Sequence, residues 1–308
     1  MENFNTKELI AVLYKNKTAI IIVTVLAIIA SVVVSFMLKP KFKSYAVVYP
    51  VNLSPSSEES NTEQLLQYFT SEEVKNAVAK KFDLFKHYEI DPNYKEAQSL
   101  FDLYFKSNVS ISPTLYESIE ISVKDESPEM ARNIAQALIE ETNLHIMNIK
   151  RERLGEYIKN SRKAISKESN NIDSINYQMN ELRKKYEIID VAAQAKYIAK
   201  KMLSDKPLTE SQKLTYEGLK TKNVELSKLY SLYSGQAGTL NYFIDQYDKY
   251  MFDFNSEISF TNVVSKPTLP DKKCFPVRWL IVSISTLSAF ALACLYFILT
   301  NKATRKVD

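Results

Sequence analysis

Two long apolar stretches stand out in the pattern of hydrophobic and polar positions. The first runs from Thr18 to Leu38 and the second from Trp279 to Thr300, and neither contains a charged residue. A helix rises about 1.5 Å per residue, so each stretch can cross a hydrocarbon core of about 30 Å. The first exceeds the apolar region of a cleaved signal peptide, and no small-residue cleavage motif ends it. The pattern therefore predicts two transmembrane helices rather than buried helices of a globular protein.

These two predicted spans divide the chain into five parts. They are an N-terminal tail (residues 1–17), a span (18–38), a loop (39–278), a second span (279–300) and a C-terminal tail (301–308). Both tails therefore lie on the same side of the membrane. Basic residues flank the two sides of each span in similar numbers, so the positive-inside rule does not decide which side that is.

Segments typical of strands lie at both ends of the loop, close in sequence to the spans. They are rich in β-branched and aromatic residues and are bounded by turn residues. The predicted strands are Tyr45–Val51, Val109–Ser112, Ser118–Lys124 and Glu257–Val264. Two short helices are predicted at Thr70–Phe82, where Glu73 completes a capping box with the first residue, and at Tyr94–Phe105. We expect one mixed sheet covered by these helices, an α+β base formed by residues 39–126 and 255–278.

Between these strands the sequence changes to a helical pattern. Ser127-Pro128-Glu129 is a strong helix start, with an N-cap serine, a proline at the first helical position and an acid in the first turn. Apolar residues then recur with heptad spacing in two runs. The first run comprises Leu154, Ile158, Ile165, Ile172, Ile175, Met179, Leu182 and Tyr186, and is weakened by Ser161 and Glu168 at two positions of the repeat. The second comprises Tyr216, Leu219, Leu226, Tyr230, Tyr233, Ala237, Leu240, Ile244, Tyr247, Met251 and Phe254, with Asn223 at one position of the repeat.

The two runs predict a long helical hairpin over residues 127–254, with its tip near Glu187–Asp190. Its second arm is expected to be interrupted near Pro207 and near Gly235 and Gly238. Each arm would extend on the order of 90 Å. The alternative is a compact bundle in which the proline and the glycines let the helices fold back. A long hairpin exposes its apolar positions unless neighbouring subunits cover them, so we expect a homo-oligomer.

Three sequence features occur in an order that resembles a known family. The leader Leu9–Lys17 runs into the first span, and Tyr45 follows in a strand. The motif Glu126-Ser127-Pro128 with Ala131 opens the long helix. Spaced prolines follow Val264 in the run into the second span: Pro267, Pro270 and Pro276. Together these features resemble the Wzz-type chain-length determinants, also called polysaccharide co-polymerases.

The resemblance implies an inner-membrane protein with a large periplasmic domain and both tails in the cytoplasm. Members of that family form rings and set the length of surface polysaccharides such as lipopolysaccharide O-antigen, capsule or exopolysaccharide. A separate polymerase makes the glycosidic bonds of the lipid-linked glycan. One subclass carries a cytoplasmic tyrosine kinase after the second span. Residues 301–308 contain neither a tyrosine nor a phosphate-binding loop, so the chain resembles the kinase-free subclass.

The second span departs from the family in lacking the glycines often found there. Ser285, Ala289 and Ala293 instead provide small residues at four-residue spacing, which permits close helix packing in a membrane. We expect these three residues to form a helix-packing surface.

Composition argues against several other functions. Two cysteines, two histidines and four glycines leave little for a Cys-rich metal module, His-based catalysis or a phosphate-binding loop. The net charge of +4 comes mainly from the two tails and does not indicate nucleic-acid binding. His87 and His145 are interpreted as packing or surface residues, and Cys274 and Cys294 as free thiols. The tyrosines could stack on sugars, but most fall on predicted helical runs or strands, which favours packing. No catalytic residue, cofactor or metal site is predicted.

Basic residues cluster on the loop side of both spans. They are Lys39, Lys41, Lys43, Lys272, Lys273 and Arg278. Two interpretations stay open. They are ordinary flanking residues that bind lipid phosphates, or they form a ring that contacts the pyrophosphate of a lipid-linked glycan during export.

The sequence as a whole favours a non-enzymatic regulator of surface-polysaccharide chain length, acting as an oligomeric membrane co-polymerase. The alternative is a membrane adaptor that activates a separate cytoplasmic tyrosine kinase or a polysaccharide exporter through its C-terminal tail.

Overall fold

The computed structural model describes residues 6–54 and 58–304, with side chains for residues 10–54 and 58–300. The predictions for residues 1–5 and 305–308 lie outside the described residues. The chain begins with helices α1 (Thr6–Lys15) and α2 (Lys17–Met37) and ends with α10 (Arg278–Thr304). Helix α2 and the Arg278–Thr300 part of α10 are long and apolar enough to cross a membrane. Both agree with the spans predicted from the sequence.

Helices α2 and α10 pack side by side. The guanidinium of Arg278, at the start of α10, lies 4.0 Å from the centroid of the Phe36 ring, near the end of α2. The two helices are therefore antiparallel, as two consecutive spans must be when the segment between them lies on one side of a membrane. Helix α1 also contacts α10.

A five-stranded sheet forms the base. Its strands are β1 (Lys41–Pro50), β2 (Val109–Pro113), β3 (Ile119–Asp125), β4 (Thr261–Ser265) and β5 (Lys273–Phe275). The order is β2-β3-β1-β4, and β5 pairs with the start of β1. Every pairing is antiparallel, so the predicted mixed sheet is wrong. Strands β1 and β2 do run in the same direction, but β3 lies between them and is antiparallel to both.

Short helices cover one face of this sheet. They are α3 (Asn61–Phe69), α4 (Glu72–Lys81), α5 (Leu84–His87) and α6 (Ala97–Asn108), joined by the first part of α7 (Pro128–Lys185). The inner face carries the cross-strand pairs Ala46–Ile121 and Val48–Ile119, all four fully buried. The largest side chains of this core are Leu65, Phe69, Leu84, Phe101, Leu138 and Phe260.

Capping explains where the short helices begin. The predicted capping box of Thr70 and Glu73 is wrong, because Thr70 ends α3 and the hydroxyl of Ser71 accepts the Val74 N–H at 3.3 Å. A capping box does occur at Ser60 and Glu63, which starts α3. The predicted start of α7 is confirmed, with the Ser127 hydroxyl accepting the Met130 N–H at 3.2 Å.

The chain divides into two compact units, and residues Met147–Ile258 form the second. Within it, α7 and α9 (Glu210–Asn255) are antiparallel. As the residue number on α7 rises, that of its partner on α9 falls: Arg151 donates to the Phe254 carbonyl, Tyr157 lies against Tyr250, and Arg162 donates to the Tyr247 hydroxyl. The predicted hairpin is thus confirmed, and its arms do not fold back into a bundle.

The hairpin turns after α7, and α8 (Val191–Leu203) precedes α9. The chain leaves helical structure near Pro207, as predicted. Gly235 and Gly238, however, lie inside α9, so the predicted interruption there is wrong. A glycine inside a helix costs only about 1 kcal/mol relative to alanine, which a long helix can absorb. A small core closes this end, formed by Met179, Ile188, Leu226 and Leu229.

Candidate functional site

A polar cavity of about 150 Å³ lies in the base, where β1 begins. Lys39 follows the end of α2 by two residues, and Lys41 is the first residue of β1. The cavity therefore lies close in sequence to the first span. Its lining comprises Lys39, Lys41, His87, Tyr88, Glu89, Tyr104, Asn108, Asp125 and Glu126.

A histidine–aspartate pair forms one wall of this cavity. The Nε2 atom of His87 lies 2.9 Å from Oδ2 and 3.1 Å from Oδ1 of Asp125. The Asp125 side chain is 1% exposed and also accepts the Ser127 N–H at 2.9 Å. Asp125 ends β3 and Ser127 caps α7, so the sheet and the long helix position this carboxylate together.

Two lysines of the cavity lining are already engaged. Lys39 Nζ lies 3.3 Å from Glu126 and 3.7 Å from Glu89, and these exposed contacts raise the pKa of Lys39, with the Glu126 hydrogen bond as the main cause. Lys41 Nζ donates to Asn108 Oδ1 at 2.7 Å. Both ammonium groups are therefore held by oxygen acceptors of the base.

Two tyrosines complete the cavity. The rings of Tyr88 and Tyr104 are nearly parallel, with centroids 5.9 Å apart. The Tyr88 hydroxyl is buried and makes no hydrogen bond within the described part of the chain. Burial, together with the nearby Asp125 carboxylate, raises the pKa of Tyr88 above its usual range. This phenol therefore stays protonated and is available as a donor.

The structure brings most of the predicted basic residues to this region. Strand β5 pairs with β1, with Phe42 opposite Lys273, so the two basic segments are neighbours. Lys43, Lys272 and Lys273 are exposed. Arg278 instead lies over Phe36 at the start of α10. Phosphate contact by this basic group stays a prediction.

The predicted small residues lie on the buried side of α10. Ala293 is 7% exposed, and Ser285 and Ala289 are partly buried. Helix α2 offers a matching row at the same spacing, in which Ser31 and Ser35 are buried and Ala27 is partly buried. That these rows form the contact between the two helices stays a prediction.

The predicted prolines lie between β4 and the start of α10. Pro276 is buried, and Pro267 and Pro270 are partly buried. The intervening segment is tied to β1, because Ser44 Oγ donates to the Thr268 carbonyl at 2.7 Å. The prolines therefore shape the connection from the sheet to the second span.

Sequence reasoning missed the cavity itself. His87 and Asp125 are 38 residues apart, and no motif links them. Tyr88 and Tyr104 lie outside the heptad runs. Their position was the sequence signal that these two rings do not pack within the hairpin. His145 lies beside the Tyr68 ring, at 6.1 Å between centroids, as expected of a packing residue. The described residues contain no group of side chains that could hold a metal ion.

Comparison with known proteins finds one matching family model and several similar structures. Residues 2–108 match the family model of Wzz, the chain length determinant protein. No curated protein sequence matches the chain. A full-length bacterial polysaccharide co-polymerase is similar in structure, with 14% identity over 96% of this chain and 97% of that chain and a TM-score of 0.49. A fragment of WzzB, a polysaccharide co-polymerase from Salmonella Typhimurium, has 14% identity over 77% and 100%, with a TM-score of 0.33. A Wzz dodecamer has 12% identity over 75% and 98%, with a TM-score of 0.34.

Proposed function

We propose that this chain, whose residues 2–108 match the family model of the Wzz chain length determinant proteins, regulates the chain length of a surface polysaccharide. It acts as an inner-membrane co-polymerase. The domain between α2 and α10 lies in the periplasm, and both tails lie in the cytoplasm.

The family match carries this proposal, and the architecture supports it. The matched residues include α1, α2, β1 and helices α3 to α6, which together hold the first span and half of the base. The unmatched remainder supplies an antiparallel second span and a helical hairpin, in the order that a two-span co-polymerase requires.

The chain works as a homo-oligomer, and a ring is the arrangement that we propose. The hairpin helices leave large apolar side chains exposed in the single chain, including Tyr177 (68%), Val224 (82%), Tyr242 (59%) and Phe252 (74%). Exposed apolar surfaces of a soluble domain are commonly covered by a partner. A monomeric mass for the detergent-solubilised protein would contradict the assembly.

The chain regulates and does not itself make glycosidic bonds in this proposal. A separate polymerase supplies the chemistry and acts on a lipid-linked glycan. The contribution of the chain is to control how long the polymerase stays engaged with the growing polysaccharide. O-antigen, capsule and exopolysaccharide are all substrates of the appropriate class.

Deletion of the protein tests this function. Surface polysaccharide from the deletion strain and from its parent is compared as a ladder on a gel. We expect the deletion strain to show a broad distribution of polysaccharide lengths in place of a preferred length. Expression of the full-length chain should restore the preferred length. An unchanged ladder would contradict the proposal. If removal of residues 301–308 alone reproduced the deletion, the adaptor function would be favoured instead.

A further inference from the structure

We propose that the cavity at the start of β1 binds one neutral sugar ring of the growing polysaccharide. This inference rests on the proposed function, since it names the part of the substrate that the base recognises. It assigns a role to Tyr88, Tyr104, Asn108 and the His87–Asp125 pair, which lie together only in the folded chain.

The cavity has the size of a single ring. A volume of 150 Å³ accommodates a six-membered ring such as benzene. A pyranose with its hydroxyl groups is larger than benzene, so the cavity of about 150 Å³ can take the ring of one sugar unit only in part and is too small for an oligosaccharide. A polymer could bind through one sugar unit at a time, which suits a protein that must let the chain pass.

The walls offer an apolar surface for the faces of a sugar ring. Tyr88 and Tyr104 present nearly parallel rings, and the Tyr104 side chain is partly open to solvent, with 41% of its surface exposed. Tyrosine provides a large apolar face together with a polar tip, which is why it is common at binding surfaces. An exposed tyrosine next to a polar cavity is consistent with contact to a ligand.

Hydrogen-bonding groups of both kinds surround the same space. The Asn108 amide offers N–H donors, since only its Oδ1 is taken by Lys41. The exposed Glu89 and Glu126 carboxylates of the lining offer acceptors, and the Tyr88 hydroxyl has no partner within the described residues. Sugar hydroxyls both donate and accept, so they need such a mixture. A buried hydroxyl without a partner destabilises the fold, and a ligand oxygen that accepts a hydrogen bond from it would remove part of that cost.

The charges favour a neutral ligand over an anion. Two lysines face three carboxylates around the cavity, and Lys39 is paired with both Glu89 and Glu126. A phosphate placed here would displace these pairs and meet the Asp125 carboxylate. The exposed Lys43, Lys272 and Lys273 lie outside the cavity lining and are better placed for an anionic group.

Binding of simple sugars to the full-length chain tests the site. The protein is placed in lipid nanodiscs, and neutral methyl pyranosides (glucoside, galactoside and mannoside) are added singly at millimolar concentration. Saturation-transfer NMR then reports which sugar protons contact the protein. We expect a signal from at least one of the three sugars and none from inorganic phosphate observed by its own resonance.

Two variants assign the signal to the cavity. Y104L removes a partly exposed ring, and the double variant Y88F/Y104L also removes the buried hydroxyl; we expect the affinity to fall about three- to tenfold in the first and further in the second. Y116F is the matched control, because Tyr116 is 78% exposed and lies outside the lining. Any of three results would overturn the site. They are the absence of a sugar signal, an equal signal in Y88F/Y104L and the wild type, and saturable phosphate binding that is lost in Y88F/Y104L.

Polysaccharide ladders separate this inference from the function on which it rests. Y104L is introduced into the deletion strain, and we expect it to shift the preferred length that the wild-type chain restores. If Y104L restores the wild-type ladder and its sugar affinity equals that of the wild type, the site is wrong and the regulatory function stands. If the deletion itself leaves the ladder unchanged, the function fails whatever the sugar binding shows.

Discussion

Gly218 allows two helices of the hairpin to meet where α7 ends. A Cβ atom added at this position would lie 2.6 Å from Cγ of Tyr186, closer than packed atoms approach. Gly218 is therefore needed for its lack of a side chain and not for backbone freedom, because its φ is not positive. Gly235 lies in the same helix with nothing within 4 Å of its added Cβ, so it provides a matched comparison.

Substitution of these two glycines by alanine should have opposite effects. G218A should destabilise the fold by about 1–3 kcal/mol, since the new methyl group forces Tyr186 and the turn to move. G235A should stabilise it by about 1 kcal/mol through the better helix propensity of alanine. Denaturant unfolding of the full chain in detergent, followed by helical circular dichroism, measures both. Equal effects of the two changes would contradict the contact.

Lys81 and Glu140 link α4 to α7 within the base. Lys81 Nζ lies 2.9 Å from Glu140 and 3.0 Å from Glu141. The Gln136 amide and then Lys81 lower the pKa of Glu140 from its ordinary value of 4.5. A carboxyl group whose pKa is lowered by folding stabilises the protein above its unfolded value and loses that effect as the pH falls through the folded value.

The thermal stability of the protein should therefore fall as the pH is lowered below about 4.5, and part of that fall should belong to this pair. E140Q and K81M should each reduce the difference in unfolding temperature between pH 6 and pH 4, and the double variant should reduce it little further. K80M changes the exposed neighbouring lysine and should leave the difference unchanged. Additive effects of E140Q and K81M would show that the two groups do not interact.

At the scale of elements, we expect small residues to decide how the two apolar helices pair. Helix α2 buries Ser31 and Ser35, and α10 buries Ala293. The remaining sides of both helices are lined by exposed leucine, isoleucine, valine and phenylalanine. In a membrane, lipid tails cover such side chains as well as a protein does, so close packing of small residues becomes the distinguishing interaction.

A larger side chain on the small face of α10 should separate the helices. A293L should lower stability by about 1–3 kcal/mol, because leucine cannot fit where Ala293 is 7% exposed. A291L adds the same atoms to an exposed position of the same helix and should be nearly neutral. Thermal unfolding in lipid nanodiscs compares the two. Equal losses would mean that α10 does not pack through its small residues.

At the scale of the whole molecule, pairing of β5 with β1 joins two basic segments that are far apart in the sequence. Lys43, Lys272 and Lys273 become neighbours near the ends of α2 and α10. The proposed role of this basic group is to contact the phosphates of a lipid-linked glycan, with lipid headgroups as the alternative ligand.

Charge reversal distinguishes these two roles. K272E/K273E should alter polysaccharide length while membrane insertion and protein level stay normal, because a glycan contact is lost without affecting the spans. K95E/K106E makes the same charge change at exposed positions of the base outside the cavity lining and should leave the length unaltered. Gel ladders and membrane fractionation provide the measurements. An unaltered ladder in K272E/K273E would favour ordinary flanking lysines.

Much of this protein follows from its sequence because the relevant signals are local. The length and lack of charge of two segments predict the spans, and heptad spacing with the Ser127-Pro128-Glu129 start predicts the hairpin. The order of these signals resembles that of the family whose model matches residues 2–108. Local signals also have limits. The N-cap of α4 is Ser71 rather than the predicted Thr70, because the preceding helix α3 continues up to Thr70.

Tertiary structure alone decided the features that join distant residues. The position of β3 between β1 and β2 makes the sheet antiparallel, and the brief strand β5 exists only because β1 offers it a free edge. The cavity depends on the same arrangement, since β1, α5, α6 and the end of β3 each contribute lining residues. The spacing of apolar residues predicts which face of a helix or strand is buried. It does not predict which other element will cover that face. The sequence therefore determined the two spans and the hairpin, whereas the pairing of strands determined the site.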